Sequence, residues 1–470
     1  MHNKHADAAL SHITAVIADQ GIDTISVVGA DLHGYPRGKK VSAQAFCAQP
    51  QNPMTLSTLF TMLDCGNYPI EPPADSEFWW PAWANGYPDS KAIVDPKTFR
   101  RVPWQENTAL VLCDFESFNA QYSLDFLPRR MLQKLVGRCH ELGFETRVGI
   151  EIETSLFHQP DKADGHKHYQ SLIPLWGGLE AYLLTTLGKH HEALDYCISN
   201  LTAFGLTLEC WHCEAGPGQL EATLAPKPAV EAADAAFLFK HGIKELAANK
   251  DLVASFMSQI FSDGFANGAH ANVSLWDGSQ NVFYDETFPH NVSSVMRQAA
   301  AGMLDTLNEF SILFSPTPNS RRRYRPYHWT GTEIAWGLDN KSTALRAVMH
   351  SEQSTRIEHR APAADANPYL VIAACLAGML HGIENKLDAP ALVTADAYAE
   401  LAVNPLDDDY EHSINRFADS EIAERYFGQD FVRFYTHSRK AEWALFQANV
   451  AATLGNEVSE WEFRRYFEQA

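Results

Sequence analysis

The chain contains 470 residues, 46% of them apolar, and carries a formal net charge of −21. Its length predicts a large buried core divided into two domains, and its negative charge argues against nucleic acid or an anionic membrane surface as a partner. The sequence has no run of 18 or more apolar residues and no secretion-signal pattern at its start, so we expect a cytoplasmic protein without a membrane span.

The eight cysteines are scattered along the chain and lack the paired spacing of a disulfide scaffold. One C-x-x-C pattern occurs at Cys210–Cys213, but no second pair completes a zinc site and no helix start lies beside it. We therefore expect neither a disulfide framework nor a zinc or redox centre.

The N-terminal part of the chain is predicted to be mostly β-structure behind one amphipathic helix. Apolar residues at helical spacing predict the helix over residues 1–22. A small β-rich domain is then expected over 23–115, with an aromatic, proline-rich loop at 71–89. Its predicted strands are 24–32, 39–46, near 91–95, and 107–114.

Residues 116–470 are predicted to form a catalytic domain of α/β or α+β type with a helical tail from about residue 367. The predicted helices are 127–143, 190–205, 227–249 and 293–314. The predicted strands are 145–154, 206–210, 219–224, 268–276, 332–338 and 353–360.

Two carboxylates stand out on the strand at 145–154. Glu151 and Glu153 alternate with Ile150 and Ile152, so both carboxylates share one face of the strand while the isoleucines face the core. A solvated strand face is the plainer interpretation of such a pattern. The apolar flanks of this strand favour a central, buried position, where paired carboxylates repel each other unless cations neutralise them.

Further ligand-type residues recur in three later segments. Glu214 and Glu221 flank Gly216-Pro217-Gly218, a chain reversal that returns two carboxylates to one place. His270 follows Gly264 and Gly268, which permit close approach of a ligand, and Glu358 shares a strand face with Arg360. Taken singly, these segments are equally consistent with a charged hairpin, a core histidine and a simple ion pair.

Taken together, five carboxylates and one imidazole suit hard cations such as Mg²⁺ or Mn²⁺, which also bind phosphates. The four segments therefore predict two adjacent cation sites suited to the phosphates of ATP. A separate set of basic residues is more suited to a carboxylate and the ATP phosphates than to nucleic acid, given the overall charge. This set comprises Arg321, Arg322, Arg323, Arg325, Lys341, Arg346, Arg356 and Arg360.

Six ordered segments resemble the signature motifs of the glutamine synthetase superfamily. They are VGIEIETSLF, HCEAGPGQLEA, NGAHANVSLWD, PNSRRRYRP, IAWGLDNKSTALR and RIEHRAPAADANPYL. The segments GADLHGYPRGKKV and RVPWQENTALVLCDF near the N-terminus are similar to the branch that contains γ-glutamylpolyamine and γ-glutamylmonoamine synthetases. The resemblance runs from about residue 24 to the end of the chain.

The resemblance implies an α+β fold. The expected parts are a β-grasp domain over residues 23–115 and an ATP- and glutamate-binding catalytic domain over 116–470, with a curved antiparallel sheet and a helical C-terminal part. It also implies a homo-oligomer, typically a dodecamer-like double ring, in which a neighbour's N-terminal domain completes each active site.

The resemblance also implies roles for individual residues. One ion is expected at Glu153, Glu214 and Glu221, and the other at Glu151, His270 and Glu358. Arg323 and Arg360, with His270, are expected to hold glutamate. The nucleotide and phosphate positions are Glu209, Ser274, Lys341, Arg346 and Arg356, of which Lys341 and Arg346 are the expected catalytic pair.

The implied reaction has two steps. ATP phosphorylates the γ-carboxylate of L-glutamate, and an amine nitrogen then attacks the γ-glutamyl phosphate. Neither step needs a protein nucleophile, since positioning and charge neutralisation carry the catalysis.

The sequence departs from the ammonia-using members at the amine position. Where those members carry a flap glutamate, ungapped counting places Trp329, which cannot accept a proton but can pack on an organic group or an organic cation. Glu333 is close in sequence and is a second candidate base, although its predicted strand argues against that role. The aromatic residues Phe78, Trp79, Trp80 and Trp83 replace a recognisable ammonium-binding loop, either as amine contacts or as packing.

Three further positions depart from the family pattern: Asn272 stands where a second histidine is common, Lys341 where arginine is usual, and Ala269 where methionine is frequent. The resulting hypotheses are a glutamate–amine ligase, an ammonia-dependent glutamine synthetase, and a catalytically silent relative with a structural or regulatory role. The sequence leaves open which amine is used, whether monoamine, aromatic amine or polyamine.

Overall fold

The computed structural model describes residues 2–73, 78–119, 122–159, 162–163, 166–167, 169, 172–399, 404–450, 455 and 457–470. Part of the predicted aromatic loop (74–77) and parts of the predicted helical tail (400–403, 451–454 and 456) lie outside these residues.

The structure combines two large β-sheets with helices packed against them. The strands are β1 (Thr24–Ala30), β2 (Pro36–Ser42), β3 (Thr55–Ser57), β4 (Asp89–Val94), β5 (Arg100–Arg101), β6 (Thr108–Ser117), β7 (Glu145–His158), β8 (Lys162–Ala163), β9 (His166–Lys167), β10 (Leu208–Cys213), β11 (Gln219–Lys227), β12 (Leu252–Ser255), β13 (Ala269–Asp277), β14 (Gln280–Asn281), β15 (Glu333–Leu338), β16 (Thr343–Val348) and β17 (Arg356–His359).

The helices are α1 (His2–Asp19), α2 (Ala43–Ala48), α3 (Pro128–Glu141), α4 (Leu184–Lys189), α5 (His191–Ala203), α6 (Ala229–Ala248), α7 (Ser294–Asp305), α8 (Ser311–Phe314), α9 (Pro318–Arg321), α10 (Pro368–Glu384), α11 (Tyr410–Ala418), α12 (Glu421–Phe427), α13 (Gln429–Asn449) and α14 (Glu460–Tyr466). Among the described helices, none is both long and apolar enough to cross a bilayer.

The N-terminal sheet has the order β2-β1-β6-β4-β3, with β5 paired to β6. Strands β1 and β6 run parallel, and the other pairings in this sheet are antiparallel. Alternate residues of the central strands, such as Ile25, Val27, Ala109 and Val111, are fully buried and form the core of this part of the chain.

The second sheet has the order β10-β11-β7-β13-β17-β16-β15, with β12 paired to β7 and β14 to β13. All of its pairings are antiparallel except that between β15 and β16. Helix α10 is buried along almost its whole length, as expected for a helix that is apolar on every face. The α+β fold class predicted from the sequence is confirmed, and the domain limits at 23, 115 and 116 stay a prediction.

Two local predictions differ from the structure. The strand predicted at 39–46 ends at Ser42, whose side chain accepts a hydrogen bond from the backbone N–H of Ala45 at 3.2 Å and caps helix α2. The helix predicted at 293–314 is divided into α7 and α8. The hydroxyl of Thr306 donates to the Gly302 carbonyl at 2.8 Å just past the end of α7, a local bond typical of residues that end helices.

Candidate active site

The predicted alternation on β7 is present in the structure. Ile150 and Ile152 are buried, while Glu151 and Glu153 are partly accessible on the opposite face. Strand β7 is central because β11 pairs along one side and β13 and β12 pair, one after the other, along the opposite side. The two carboxylates are therefore held on a rigid strand and open toward a common space.

The first group of ligand-type side chains comprises Glu151, His270 and Glu358. Strand register places His270 opposite Glu151, and Glu358 lies on the next strand, β17. Nδ1 of His270 is 3.5 Å from Oε2 of Glu151 and 3.6 Å from Oε1 of Glu358. One ligand atom from each residue lies within 4.8 Å of the others, which is compact enough for a single cation.

The second group comprises His212, Glu214 and Glu221, whose ligand atoms also lie within 4.8 Å of one another. Nε2 of His212 is 2.9 Å from Oε1 of Glu214 and 3.9 Å from Oε1 of Glu221. The predicted reversal brings the two glutamates together. At Gly218 the φ angle is +64°, and an added Cβ would lie 2.3 Å from the Leu156 carbonyl oxygen, so only glycine fits.

His212 was missed by the sequence analysis. It lies on β10 two residues before Glu214, and side chains two residues apart on a strand share one face. This spacing is the signal that could have identified it. The ring of Tyr182 stacks on His212 with centroids 4.7 Å apart, which helps to fix the imidazole.

Glu153 lies directly opposite Glu221 in the pairing of β7 with β11. Its Oε2 accepts hydrogen bonds from the backbone N–H of Gly268 at 2.6 Å and from Nε2 of Gln219 at 3.0 Å. These bonds anchor Glu153 beside the second group, although the compact three-residue groups found among the described residues do not include it.

The site brings several carboxylates together and so carries an excess of negative charge. Burial and the neighbouring carboxylates, Glu153 and Glu151 first among them, raise the pKa of Glu221 to about 9. Burial also raises the pKa of Glu153. Glu221 therefore holds a proton at neutral pH in the absence of a cation, and a divalent ion would stabilise its charged form.

Glu358 is the opposite case. Burial disfavours its charge, yet electrostatic interactions with Arg360, His270 and Arg346 outweigh burial and lower its pKa to about 2. Burial likewise acts against Glu151, but its hydrogen bond to His270 and other contacts leave its pKa below the usual range. Both groups are ionised at neutral pH.

The donor set fits divalent cations. Carboxylate oxygens with one imidazole in each group match the preferences of Mg²⁺ and Mn²⁺, and the raised pKa of Glu221 is the response expected of carboxylates brought together without a counter-charge.

Two predicted arginines flank Glu358. Nη1 of Arg346 donates to Oε2 of Glu358 at 2.8 Å, and Nη1 of Arg360 donates to Oε1 at 2.5 Å. The Nε atoms of Arg346 and Arg360 are buried and have no hydrogen-bond partner among the described residues. Such donors suit an anionic substrate, because an unpaired buried donor is costly.

Arg323 is buried beside the first group. Its Nη2 lies 3.4 Å from Nε2 of His270, and its guanidinium donates to the carbonyl oxygens of Ala361 and Arg360. Gly268 makes room for it, since a Cβ there would be 2.5 Å from Nη2. The structure therefore brings Arg323, Arg360 and His270 together, as the predicted glutamate-binding role requires.

A pocket of about 300 Å³ opens next to Glu151. Three of the predicted nucleotide residues, Glu209, Ser274 and Arg356, line it. The guanidinium of Arg147 lies 3.5 Å over the Trp276 ring at its wall. Because Glu151 belongs to both the pocket and the first group, the pocket and the candidate cation sites form one continuous site.

Two predicted phosphate residues lie outside that pocket lining. Lys341 is exposed in the turn between β15 and β16. Arg346 lies against Glu358 and also donates to Oδ1 of Asp339 at 2.9 Å. Of this predicted pair, only Arg346 touches a ligand-type carboxylate among the described residues.

Asn272 connects the two halves of the site. Its Nδ2 donates to Oε1 of Glu151 at 3.1 Å, and its Oδ1 accepts from Nε of Arg356 at 2.7 Å. The departure from histidine at this position therefore leaves a side chain that joins the carboxylates to the pocket. At the neighbouring departure, Ala269 is a buried residue at the start of β13.

Trp329 lies in the segment that precedes β15, and its ring is 60% exposed. Its carbonyl oxygen accepts a hydrogen bond from Nη2 of Arg360 at 2.8 Å, which ties the segment to one of the two arginines predicted to bind glutamate. Glu333 lies at the start of β15 and is buried, and burial raises its pKa. Its role as a base stays a prediction.

The aromatic residues of the N-terminal loop divide into two kinds. Phe78 and Trp80 pack on Phe434 of α13, with ring centroids 5.5 and 4.4 Å from it. Trp79 stacks on Tyr122 at 3.6 Å, and Trp83 is exposed. Phe78 and Trp80 thus serve intramolecular packing, one of the two roles left open by the sequence.

Known proteins share this fold and much of this sequence. Residues 125–466 match the catalytic domain of glutamine synthetase. A type-1 glutamine synthetase 2 of Dictyostelium discoideum is 32% identical over 450 residues, which cover 94% of this chain and 83% of that protein. A glutamate–isopropylamine ligase of a Pseudomonas species is 32% identical over 457 residues, 96% of each chain.

A γ-glutamylethanolamide synthetase of Streptomyces coelicolor is 30% identical over 469 residues, covering 98% of this chain and 96% of that protein. A solved structure described as apo GmaS without ligand superposes with a TM-score of 0.79 at 23% identity, over 96% of this chain and 98% of that one, and supports the fold.

The chain belongs to the glutamine synthetase family. It is an ATP-dependent carbon–nitrogen ligase of the branch that includes glutamate–amine ligases. Ligases of this family use ATP and divalent metal ions.

Proposed function

We propose that the protein joins the γ-carboxylate of L-glutamate to an organic amine, with γ-glutamyl phosphate as the intermediate. The observation that carries the proposal is the exposed indole of Trp329 at the flap position where ammonia-using members place a glutamate. An indole offers an apolar surface and a cation–π face in place of a negative charge, which favours a substituted amine over ammonium.

Different residues are assigned to glutamate, to the nucleotide and to the transferred phosphoryl group. Arg323 and Arg360 hold the carboxylates of glutamate, because the Arg323 guanidinium lies beside His270 and the Arg360 guanidinium donates to Glu358, a neighbour of His270. The nucleotide occupies the pocket at Glu209, Ser274 and Arg356. Arg346 neutralises charge on the transferred phosphoryl group, and exposed Lys341 reaches the phosphates from its turn.

Two divalent cations are assigned to the acidic groups. Glu151, His270 and Glu358 would hold one of them, and Glu214 and Glu221, with His212 and Glu153 beside them, would hold the other. Bound there, Mg²⁺ or Mn²⁺ supplies charge neutralisation for the phosphoryl transfer. The protein is proposed to act as a homo-oligomer in which a neighbour's N-terminal sheet completes the site.

An ammonia-dependent glutamine synthetase is the second candidate, because a protein with that name is as similar to this chain as the isopropylamine ligase is. A catalytically silent relative is disfavoured because all five carboxylates and His270 are retained, and all of them except Glu153 lie in compact three-residue groups. The preference for an amine ligase rests on Trp329.

The test is glutamate-dependent phosphate release from ATP with ammonium, methylamine, isopropylamine, ethanolamine, aniline and putrescine as separate acceptors. We expect an organic amine to give the highest kcat/KM. Glu151→Gln, which removes one charge from the first group, serves as the inactive background for contaminating ATPase activity. Ammonium as the best acceptor would refute the proposal, and no turnover with any acceptor would favour the silent relative.

A further inference from the structure

The segment that carries Trp329 has an unusual backbone. Tyr327 and Trp329 adopt φ angles of +62° and +60°, in the left-handed region that large L-residues avoid. Both rings remain mostly exposed, at 64% and 60%. Burial of the rings therefore does not offset the backbone strain. Strained backbone of this kind is typical of ligand-binding segments.

The segment is nevertheless fixed in place. The hydroxyl of Thr330 donates to the Arg323 carbonyl oxygen at 2.8 Å, and Arg360 donates to the Trp329 carbonyl oxygen. At Gly331 an added Cβ would lie 2.5 Å from the Thr343 carbonyl oxygen and 3.0 Å from Cβ of Arg360. Trp329 is therefore anchored through its backbone carbonyl on Arg360, and its neighbour Thr330 is bonded to Arg323, the two arginines proposed to hold glutamate.

A carboxylate from a distant part of the chain lies against Tyr327. The hydroxyl of Tyr327 donates to Oδ2 of Asp396 at 3.2 Å, and the Tyr327 ring is 4.8 Å from the ring of Tyr398. Asp396 is exposed, and its Oδ1 accepts from the backbone N–H of Tyr398 at 3.0 Å. The carboxylate is thus held in a defined position while one side remains open to solvent.

The segment around Asp396 is itself held by the turn between β15 and β16. Nδ2 of Asn340 donates to the Ala395 carbonyl oxygen at 2.8 Å, and the backbone N–H of Ala397 donates to the Ser342 hydroxyl at 2.9 Å. Asp396 and the Trp329 segment are therefore both fixed to the edge of the catalytic sheet.

We infer that Asp396, Tyr327 and Trp329 form the acceptor site, which takes an organic ammonium ion. The inference rests on the proposed function and deepens it. Asp396 supplies the negative charge that Trp329 lacks, and the two exposed rings cover the organic substituent and the cationic nitrogen. A carboxylate beside aromatic faces is the arrangement that recognises alkylammonium groups.

Asp396 suits this role better than Glu333, the other carboxylate near the segment. Glu333 is buried, and its Oε1 is 3.3 Å from the Thr332 hydroxyl, so an amine would have to displace packed structure to reach it. Asp396 is exposed and needs no rearrangement.

The test compares Asp396→Asn, Tyr327→Phe and Trp329→Ala with a matched control variant. It measures the KM of each for isopropylamine, ethanolamine and ammonium. Asp396→Asn keeps an oxygen for the Tyr398 N–H, so folding is preserved while the charge is lost. Tyr327→Phe keeps the ring and removes the hydroxyl that orients Asp396. The matched control is Asp285→Asn, since Asp285 is also a carboxylate that accepts a backbone N–H two residues ahead, from Thr287 at 3.0 Å.

Asp396→Asn is expected to raise KM for every amine by about tenfold or more, with KM for ATP and glutamate within about twofold of the original. Tyr327→Phe should give a smaller rise of the same kind, and Asp285→Asn none. Trp329→Ala should raise KM for isopropylamine more than for ammonium. Melting temperatures report whether each variant is folded.

Two outcomes separate this inference from the proposed function. An enzyme that uses organic amines and whose amine KM is unchanged in Asp396→Asn overturns the acceptor site while the ligase function stands. An enzyme that uses only ammonium, with KM raised in Asp396→Asn and unaffected by Trp329→Ala, overturns the organic-amine assignment itself.

Discussion

Glu153 and Glu221 lie directly opposite each other in the antiparallel pairing of β7 with β11. Like charges at directly opposed positions of a sheet are destabilising, and burial adds to the cost. In a protein selected only for stability this pair would be replaced. A ligand of positive charge explains why the pair is present. His212 on the adjoining strand and Glu214 on the turn that follows it lie close to Glu221 and would bind the same ligand.

The first prediction concerns the stability of this pair. Glu221→Gln should raise the melting temperature of the metal-free protein by about 2–4 °C, because a neutral amide is not repelled by the opposed carboxylate of Glu153. The amide also removes the need for residue 221 to take up a proton when the protein folds. Mn²⁺ should raise the melting temperature of the original protein substantially and that of the variant much less. Thermal denaturation in chelator and in Mn²⁺ measures both effects.

Glu145→Gln is the matched control for this measurement, because Glu145 lies on the same strand but is exposed at its start. It should change neither melting temperature. A larger Mn²⁺ shift in Glu221→Gln than in the original protein would contradict the second cation site.

The second prediction concerns pH. The pKa of Glu221 is raised to about 9 by burial and neighbouring carboxylates, so the folded, metal-free protein binds a proton that the unfolded chain releases near pH 4.5. Its contribution to stability is therefore complete below pH 4.5 and is lost as the pH rises toward 9. Metal-free melting temperatures should fall over that window.

Cation binding must displace the same proton. Affinity for Mn²⁺ should therefore fall by about tenfold for each pH unit below 9, in the range where one proton is released per ion bound. Calorimetric titrations in buffers of different ionisation enthalpy count that proton directly. Binding of Mn²⁺ without proton release at pH 7 would show that Glu221 is already ionised.

The third prediction is a change of acceptor. Trp329→Glu introduces a carboxylate at the flap and should improve kcat/KM for ammonium relative to isopropylamine by about tenfold or more. Trp329→Gln has nearly the same shape without the charge and is the matched control. Equal preferences in the two variants would mean that size, and not charge, sets the choice of amine at this position.

The local features of the site could be predicted from the sequence. The alternation of Ile150, Glu151, Ile152 and Glu153 gave the correct face of β7, because a strand has a fixed period of two residues. The glycine-containing reversal before Glu221 was equally local. Both features depend only on neighbouring residues, and both were predictable.

Features that depend on strand register were not predictable. His212 joins Glu214 and Glu221 only because β10 pairs with β11 in one particular register, which opposes His212 to Glu221. Asp396 reaches Tyr327 from more than 60 residues away through two backbone anchors. The packing of Phe78 and Trp80 on Phe434 is likewise set by tertiary contact.

The fourth prediction concerns Asn272, which joins Glu151 to Arg356. Asn272→Ala leaves Nε of Arg356 without its acceptor and frees Glu151 to rotate, so KM for ATP should rise by about tenfold. KM for glutamate should change little, because the hydrogen-bond partners of Arg323 and Arg360 are His270, Glu358 and backbone carbonyl groups. Initial rates at saturating amine separate the two constants, and equal increases in both would indicate a general loss of structure.

The fifth prediction tests the packing that supports the sheet. Helices α7 and α10 approach so closely that a Cβ added at Gly302 would lie 2.1 Å from the Gly378 carbonyl oxygen. Backbone atoms cannot move aside as a flexible side chain can, so Gly302→Ala should cost about 3 kcal/mol or more and lower the melting temperature by several degrees. Gly137→Ala is the control, since Gly137 lies within α3 and an added Cβ meets no atom within 4 Å. There the gain in helix propensity should leave stability unchanged or raise it by about 0.5–1 kcal/mol. Equal melting temperatures for the two variants would show that the helices separate at little cost.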